Sequence, residues 1–124
     1  MNTCDFSKDC SKIPIPGKCV KFCLERILRN ATVEEKQLIL GLNKNLSDAI
    51  YNAYNGPYDI NSFEDLERQL EPQQVENLLE SFNKINQYQL NYFLRDRRER
   101  ETIINAIRNM RLDLDNDFLF SRGF

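Results

Sequence analysis

The stretch from Pro72 to Leu112, PQQVENLLESFNKINQYQLNYFLRDRRERETIINAIRNMRL, has one proline, at its first position, and no glycine. Its apolar residues Val75, Leu78, Leu79, Phe82, Ile85, Leu90, Phe93 and Leu94, then Ile103, Ile104, Ile107 and Met110, keep a helical period. Phe82 to Phe93 and Phe93 to Ile104 are both 11-residue steps. At 100° per residue such a step closes within about 20° of a whole number of turns, so the phase survives the charged interval. The pattern predicts one helix over 72–112. It would be about 60 Å long, whereas a compact chain of this size has a radius of gyration of about 14 Å. Either the part beyond about Arg95 protrudes and its apolar seam is covered by a second polypeptide, or the helix breaks at the charged interval and folds back; protrusion is favoured because the interval contains no breaker.

Upstream, breakers and caps divide the chain. Pro14, Pro16 and Gly17 separate an irregular, cysteine-bearing start (1–17) from a helical pattern over 18–30, carried by Cys19, Val20, Cys23, Leu24, Ile27 and Leu28. Thr32 followed by Glu35 is a capping-box pair, in which each side chain satisfies a backbone N–H at a helix start. The helix begun there carries Val33, Leu38, Ile39 and Leu42, bends near Gly41, and resumes with Leu46, Ala49, Ile50, Ala53 and Tyr54. Asn55-Gly56-Pro57 stops it. Ser62 and Asp65 repeat the capping logic ahead of Phe63, Leu66 and Leu70, and Pro72 suits the first turn of the next helix, where its missing N–H costs nothing. The expectation is an all-α fold: a small bundle of four to five helices with a long C-terminal helix. It forms a single helical domain over 1–124 that closes in an acidic and aromatic tail, 113–124.

The chain has 124 residues, 41% hydrophobic and 29% charged, with a formal net charge of −2. That length suits one domain with its own core. No apolar run reaches the ~18 residues of a membrane-spanning helix. The stretch MNTCDFSKDCSKIPIPGK lacks an unbroken hydrophobic segment behind its basic residues, so no secretory signal is expected and a cytoplasmic, reducing location follows by default. There is no histidine, which removes the usual general base near neutral pH and every Ser-His or Cys-His nucleophile. The glycines, Gly17, Gly41, Gly56 and Gly123, are too scattered to form a phosphate-cradling loop. With no base, nucleophile or cofactor site to name, no enzyme is expected. Charge is segregated: residues 1–31 carry six basic and three acidic groups, 32–94 four and ten, and 95–124 seven and six. The ends of one molecule can therefore attract the middle of another, over a screening length of about 8 Å.

Cys4, Cys10, Cys19 and Cys23 all lie in the first 23 residues. One reading is a structural four-thiolate zinc site, with Cys19 and Cys23 one helical turn apart and Cys4 and Cys10 supplied by the irregular start. The spacings contain no CxxC knuckle. The plainer reading places Cys19 and Cys23 as buried thiols on the apolar stripe. Disulfides rank last, because the default compartment is reducing.

The interval Arg95, Asp96, Arg97, Arg98, Glu99, Arg100, Glu101 follows Tyr92 and Phe93. Its alternating charges suit pairing along a helix better than contact with nucleic acid. Asp113, Asp115 and Asp117 start like a calcium loop, but Phe118 stands where that loop needs glycine and Phe124 where it needs glutamate. Phe118, Phe120 and Phe124 instead either cover the domain's own core or fill a partner's pocket. Tyr51, Tyr54 and Tyr58 read as core or rim packing. The functional expectation is a protein-binding regulator or adaptor with no membrane contact. It would self-associate through the helix at 72–112, using Tyr92, Phe93, Arg97, Arg100, Ile104, Ile107, Phe118, Phe120 and Phe124. The alternative is a zinc-stabilised nucleic-acid-binding module on the four cysteines, and no cofactor is expected beyond that zinc.

Overall fold

Side chains that hydrogen-bond to the backbone at helix starts set the boundaries of nearly every element in this chain. The computed structural model describes residues 4–122, and of residues 111–122 the backbone alone. In order come α1 (Phe6–Asp9), a 3-10 turn (Gly17–Cys19), α2 (Val20–Asn30), α3 (Val33–Leu38), α4 (Lys44–Tyr54), α5 (Phe63–Arg68), α6 (Pro72–Asn83), α7 (Gln87–Leu94) and α8 (Arg97–Arg122). The fold is all-α as expected, with eight helices among the described residues rather than four to five.

The capping box at Thr32 and Glu35 forms in both directions. Asn43 caps α4 by accepting from the Leu46 N–H at 2.8 Å, and Ser62 caps α5 by accepting from that of Asp65 at 3.2 Å. The bend expected near Gly41 is a full break. Gly41 has φ +72°, a left-handed conformation that a side chain resists, and it divides α3 from α4. Pro72 stands at the start of α6 as expected.

The single helix expected over 72–112 does not form. It is three helices, interrupted at residues 84–86 and again at 95–96. Neither interruption contains Pro or Gly, and both have the same cause. Asn86 and Gln89 cap each other reciprocally: the Gln89 N–H donates to Asn86 Oδ1 at 2.9 Å and the Asn86 N–H to Gln89 Oε1 at 2.8 Å. The Glu99 N–H likewise donates to Asp96 Oδ1 at 2.8 Å. Short polar side chains that satisfy backbone donors can start a new helix where the apolar period alone would continue an old one.

The chain divides into two compact units, residues 1–94 and 95–124. In the first, α2 packs on α1 and α5, α3 on α4, and α4 on α5. Leu24, Ile27, Leu28, Ile50, Leu66, Leu78 and Leu90 are buried at its centre, and α2 contributes three of these seven. In the second, α8 carries the expected lengthwise ion pairs, Arg95–Glu99 at 3.1 Å and Arg97–Glu101 at 3.2 Å. Its helical backbone continues through residues 113–122, which the sequence suggested as a tail.

The start of the chain is held covalently. Disulfides join Cys4 to Cys19 and Cys10 to Cys23, with Cα atoms 5.7 and 5.6 Å apart. One half-cystine precedes α1 and the other follows it, so a helix of four residues is pinned at both ends to the beginning of α2. Cys10, Cys19 and Cys23 are fully buried.

Two outcomes follow for stability. Reduction with a dithiol should cost about 3–5 kcal/mol, because the loops closed are short and interleaved and the second adds less than the first. Urea unfolding with and without the reductant measures this, and an unchanged midpoint counts against the pairing. Ser47 is fully buried on α4 and its hydroxyl finds no hydrogen-bond partner among the described residues. Ser47→Ala should therefore stabilise the chain by about 1 kcal/mol, read by the same unfolding curve.

Candidate functional site

Helix α2 buries one face and offers the opposite one to a cleft. The apolar residues Cys23, Leu24, Ile27 and Leu28 point into the core, whereas Lys21, Phe22, Arg26 and Arg29 line a concavity of about 780 Å³. Lys18 on the 3-10 turn extends the cationic edge, and Phe63 and Glu64 of α5 with Leu79 and Asn83 of α6 form the far wall. The volume lies in the range of ligand sites, and the lining mixes apolar surface with a few polar groups. Four cations stand against two carboxylates, those of Glu25 and Glu64.

The four cations are not equivalent. Lys21 pairs with Glu67 at 3.3 Å and lies 5.6 Å from the centre of the Phe63 ring. Arg29 is committed to Glu25, its Nε donating to Oε2 at 2.9 Å and its Nη2 to Oε1 at 2.6 Å. The Arg26 side chain makes no hydrogen bond or ion pair among the described residues, and its carbonyl accepts the Asn30 Nδ2 donor at 3.0 Å. Its guanidinium lies over two rings, 5.1 Å from the centre of Phe6 and 5.7 Å from that of Phe22. Both distances are within reach of a cation–π attraction, which spends none of the guanidinium's five N–H donors. Phe6 belongs to α1, so the two disulfides that pin α1 also place this ring.

Glu25 forms the floor. Its carboxylate is buried, and besides Arg29 it accepts the Tyr54 hydroxyl from α4 at 2.8 Å. A buried carboxylate satisfied by a two-pronged guanidinium and a phenol is held rigidly. Burial pushes the Tyr54 hydroxyl well above its ordinary pKa of 10.0, and the Glu25 hydrogen bond and charge push it further.

Cys4, Cys10, Cys19 and Cys23 are brought together, but as the two disulfides, the arrangement ranked last. Disulfide sulfurs are not the thiolates that a zinc site requires. The Asp9 carboxylate, within 4.8 Å of the Cys4 and Cys19 sulfurs, accepts the Asp5 N–H at 2.8 Å. Tyr92 and Phe93 are buried, and the Tyr92 hydroxyl donates to Glu35 at 2.5 Å. Arg100 and Ile104 are buried as well, Ile107 is half-buried, and Arg97 is exposed. The side chains of Phe118 and Phe120, and all of Phe124, lie outside the described residues. Of the tyrosines read as packing, Tyr54 is half-buried, whereas Tyr51 and Tyr58 are exposed.

The cleft residues were missed. Their signal was the excess of three positive charges in residues 1–31 and the spacing of Phe22, Arg26 and Arg29 along one helical face. Among the described residues no helix is long and apolar enough to cross a membrane. No family model, curated protein or solved structure matches the chain.

Removing the Tyr54 hydroxyl checks the floor. Tyr54→Phe takes a donor from a buried carboxylate and should cost about 1–2 kcal/mol at neutral pH. The folded-state pKa is raised, so the stability this phenol contributes is complete below pH 10 and is lost as pH rises beyond it. Unfolding of the variant should accordingly depend less on pH between about 10 and 12 than unfolding of the unaltered chain. Parallel pH profiles would remove the Tyr54–Glu25 contact from the account.

Proposed function

We propose that this chain is a protein-binding module, a regulator or adaptor, that works through the cleft along α2 and performs no bond chemistry there. One observation carries the reading: a cleft with both apolar and cationic lining contains an arginine that lies over two aromatic rings and has no ion-pair partner among the described residues. An arginine kept only for solubility would extend into water, because ordering a long side chain costs about 1.5–2 kcal/mol of rotamer freedom. Holding it over two rings beside Phe63 and Leu79 makes sense for a surface prepared in advance, since preorganisation lowers the entropy lost on binding.

The disulfides support the same reading in a second way. They hold α1, and with it Phe6, where the cleft needs it. Bonds of this kind persist in oxidising surroundings, so we place the working protein in such a compartment rather than in the reducing cytosol. The surface we propose is the cleft between α2 and the wall formed by α5 and α6, rather than the 72–112 seam, in which Tyr92 and Phe93 are buried.

A photo-crosslinking side chain at Asn83, an exposed cleft residue, tests the proposal in fluid or extract from the native host. A protein should be captured from Asn83 and not from Tyr88, which is 86% exposed and does not line the cleft. Equal capture from both positions, or none from Asn83, would falsify the reading.

A further inference from the structure

We infer that the occupant of the α2 cleft is a short acidic, amphipathic peptide segment whose leading carboxylate is received by Arg26, with Lys18 as the second anchor. This deepens the proposed function and rests on it. The two cations are the ones with charge to spare. Lys21 and Arg29 are already paired with Glu67 and Glu25, whereas neither Lys18 nor Arg26 has an ion pair or side-chain hydrogen bond among the described residues. The Arg26 guanidinium lies over two rings and keeps its donors free of any ion pair among the described residues, and a planar carboxylate can meet a guanidinium fork with two parallel hydrogen bonds.

The other lining narrows the class. Phe22, Phe63 and Leu79 offer apolar surface next to the cations, so the ligand carries apolar side chains beside its carboxylates. Glu25 and Glu64 stand in the same lining. A dense polyanion would bring several charges against those two carboxylates, and the segment 32–94 has a balance of four basic against ten acidic groups. A nucleic acid or sulfated chain is therefore disfavoured, because its affinity depends on many cations acting together. A few carboxylates separated by apolar groups fit both signs of charge. The supporting ring Phe6 comes from α1, so binding is tied to the integrity of the disulfides.

A fluorescent synthetic peptide of repeated Glu-Glu-Leu-Phe, titrated by anisotropy against the full oxidised chain, tests this. Binding is expected, and it should weaken severalfold between low and physiological salt. Replacing every Glu of the peptide by Gln should abolish it. Arg26→Met and Arg26→Lys should each weaken it, the first by about tenfold and the second by less, since lysine keeps the charge and loses the planar fork. Phe6→Ala, which leaves every charge in place, should weaken it by about threefold if the ring preorganises the guanidinium. Circular dichroism of each variant establishes that it is folded, and Lys18→Gln, an exposed substitution, provides an independent loss.

Undiminished binding of the Gln peptide, full affinity in both Arg26→Met and Lys18→Gln, or displacement of the peptide by inorganic phosphate or heparin at equal charge overturns the inference. The two levels fail separately. Capture from Asn83 without acidic-peptide binding refutes this chemistry alone, whereas absence of that capture refutes the docking site itself.

Discussion

A helix of four residues does not persist in water, because the first turn fixes several dihedral angles for one hydrogen bond. That α1 exists is owed to the two cystines that bracket it, with Asp5 capping its start by accepting the Ser7 N–H and hydroxyl. Those hydrogen bonds also hold the exposed Asp5 carboxyl below its ordinary range. The covalent constraint does more than staple an end. It brings the Phe6 ring over Arg26, so the shape of the α2 surface depends on cystines whose other halves lie outside α2.

Beneath that surface, buried charge orients the helices. Glu25 on α2 accepts the hydroxyl of Tyr54 from α4, and Glu35 on α3 accepts that of Tyr92 from α7. Each carboxylate also serves its own helix, Glu25 through Arg29 and Glu35 through the Thr32 capping box. A buried carboxylate is costly unless its oxygens are occupied, so these contacts select one arrangement of helices over others of equal apolar burial. Lys36 sits in the same layer. Burial lowers the pKa of its ammonium, against the attraction of Asp48 and Glu35.

Much of the local structure was legible in the chain. Thr32 with Glu35, Ser62 with Asp65, and Pro72 each marked a helix start that forms, since a cap is a contact between residues three apart and needs no tertiary partner. Asn86 with Gln89 and Asp96 with Glu99 had the same form. The apolar phase masks them, because it runs on through both breaks: Phe82, Phe93 and Ile104 keep step and are all buried, although three helices carry them. Periodicity reports which side faces inward and is silent on whether the backbone is continuous. The cleft was less legible. The basic excess of residues 1–31 was visible, but a charge count cannot separate Arg29, neutralised by a neighbour one turn away, from Arg26, held over a ring that lies twenty residues earlier.

By itself, then, the amino-acid order determined the all-α class, the capped helix starts and the inward face of α2, because each depends on contacts within one or two turns of backbone. Only the folded chain decided how the cysteines pair, where the long apolar stripe breaks, and which arginine is left with donors to offer. Those outcomes depend on groups far apart in sequence, and their distances are set by the packing of whole helices rather than by any local preference.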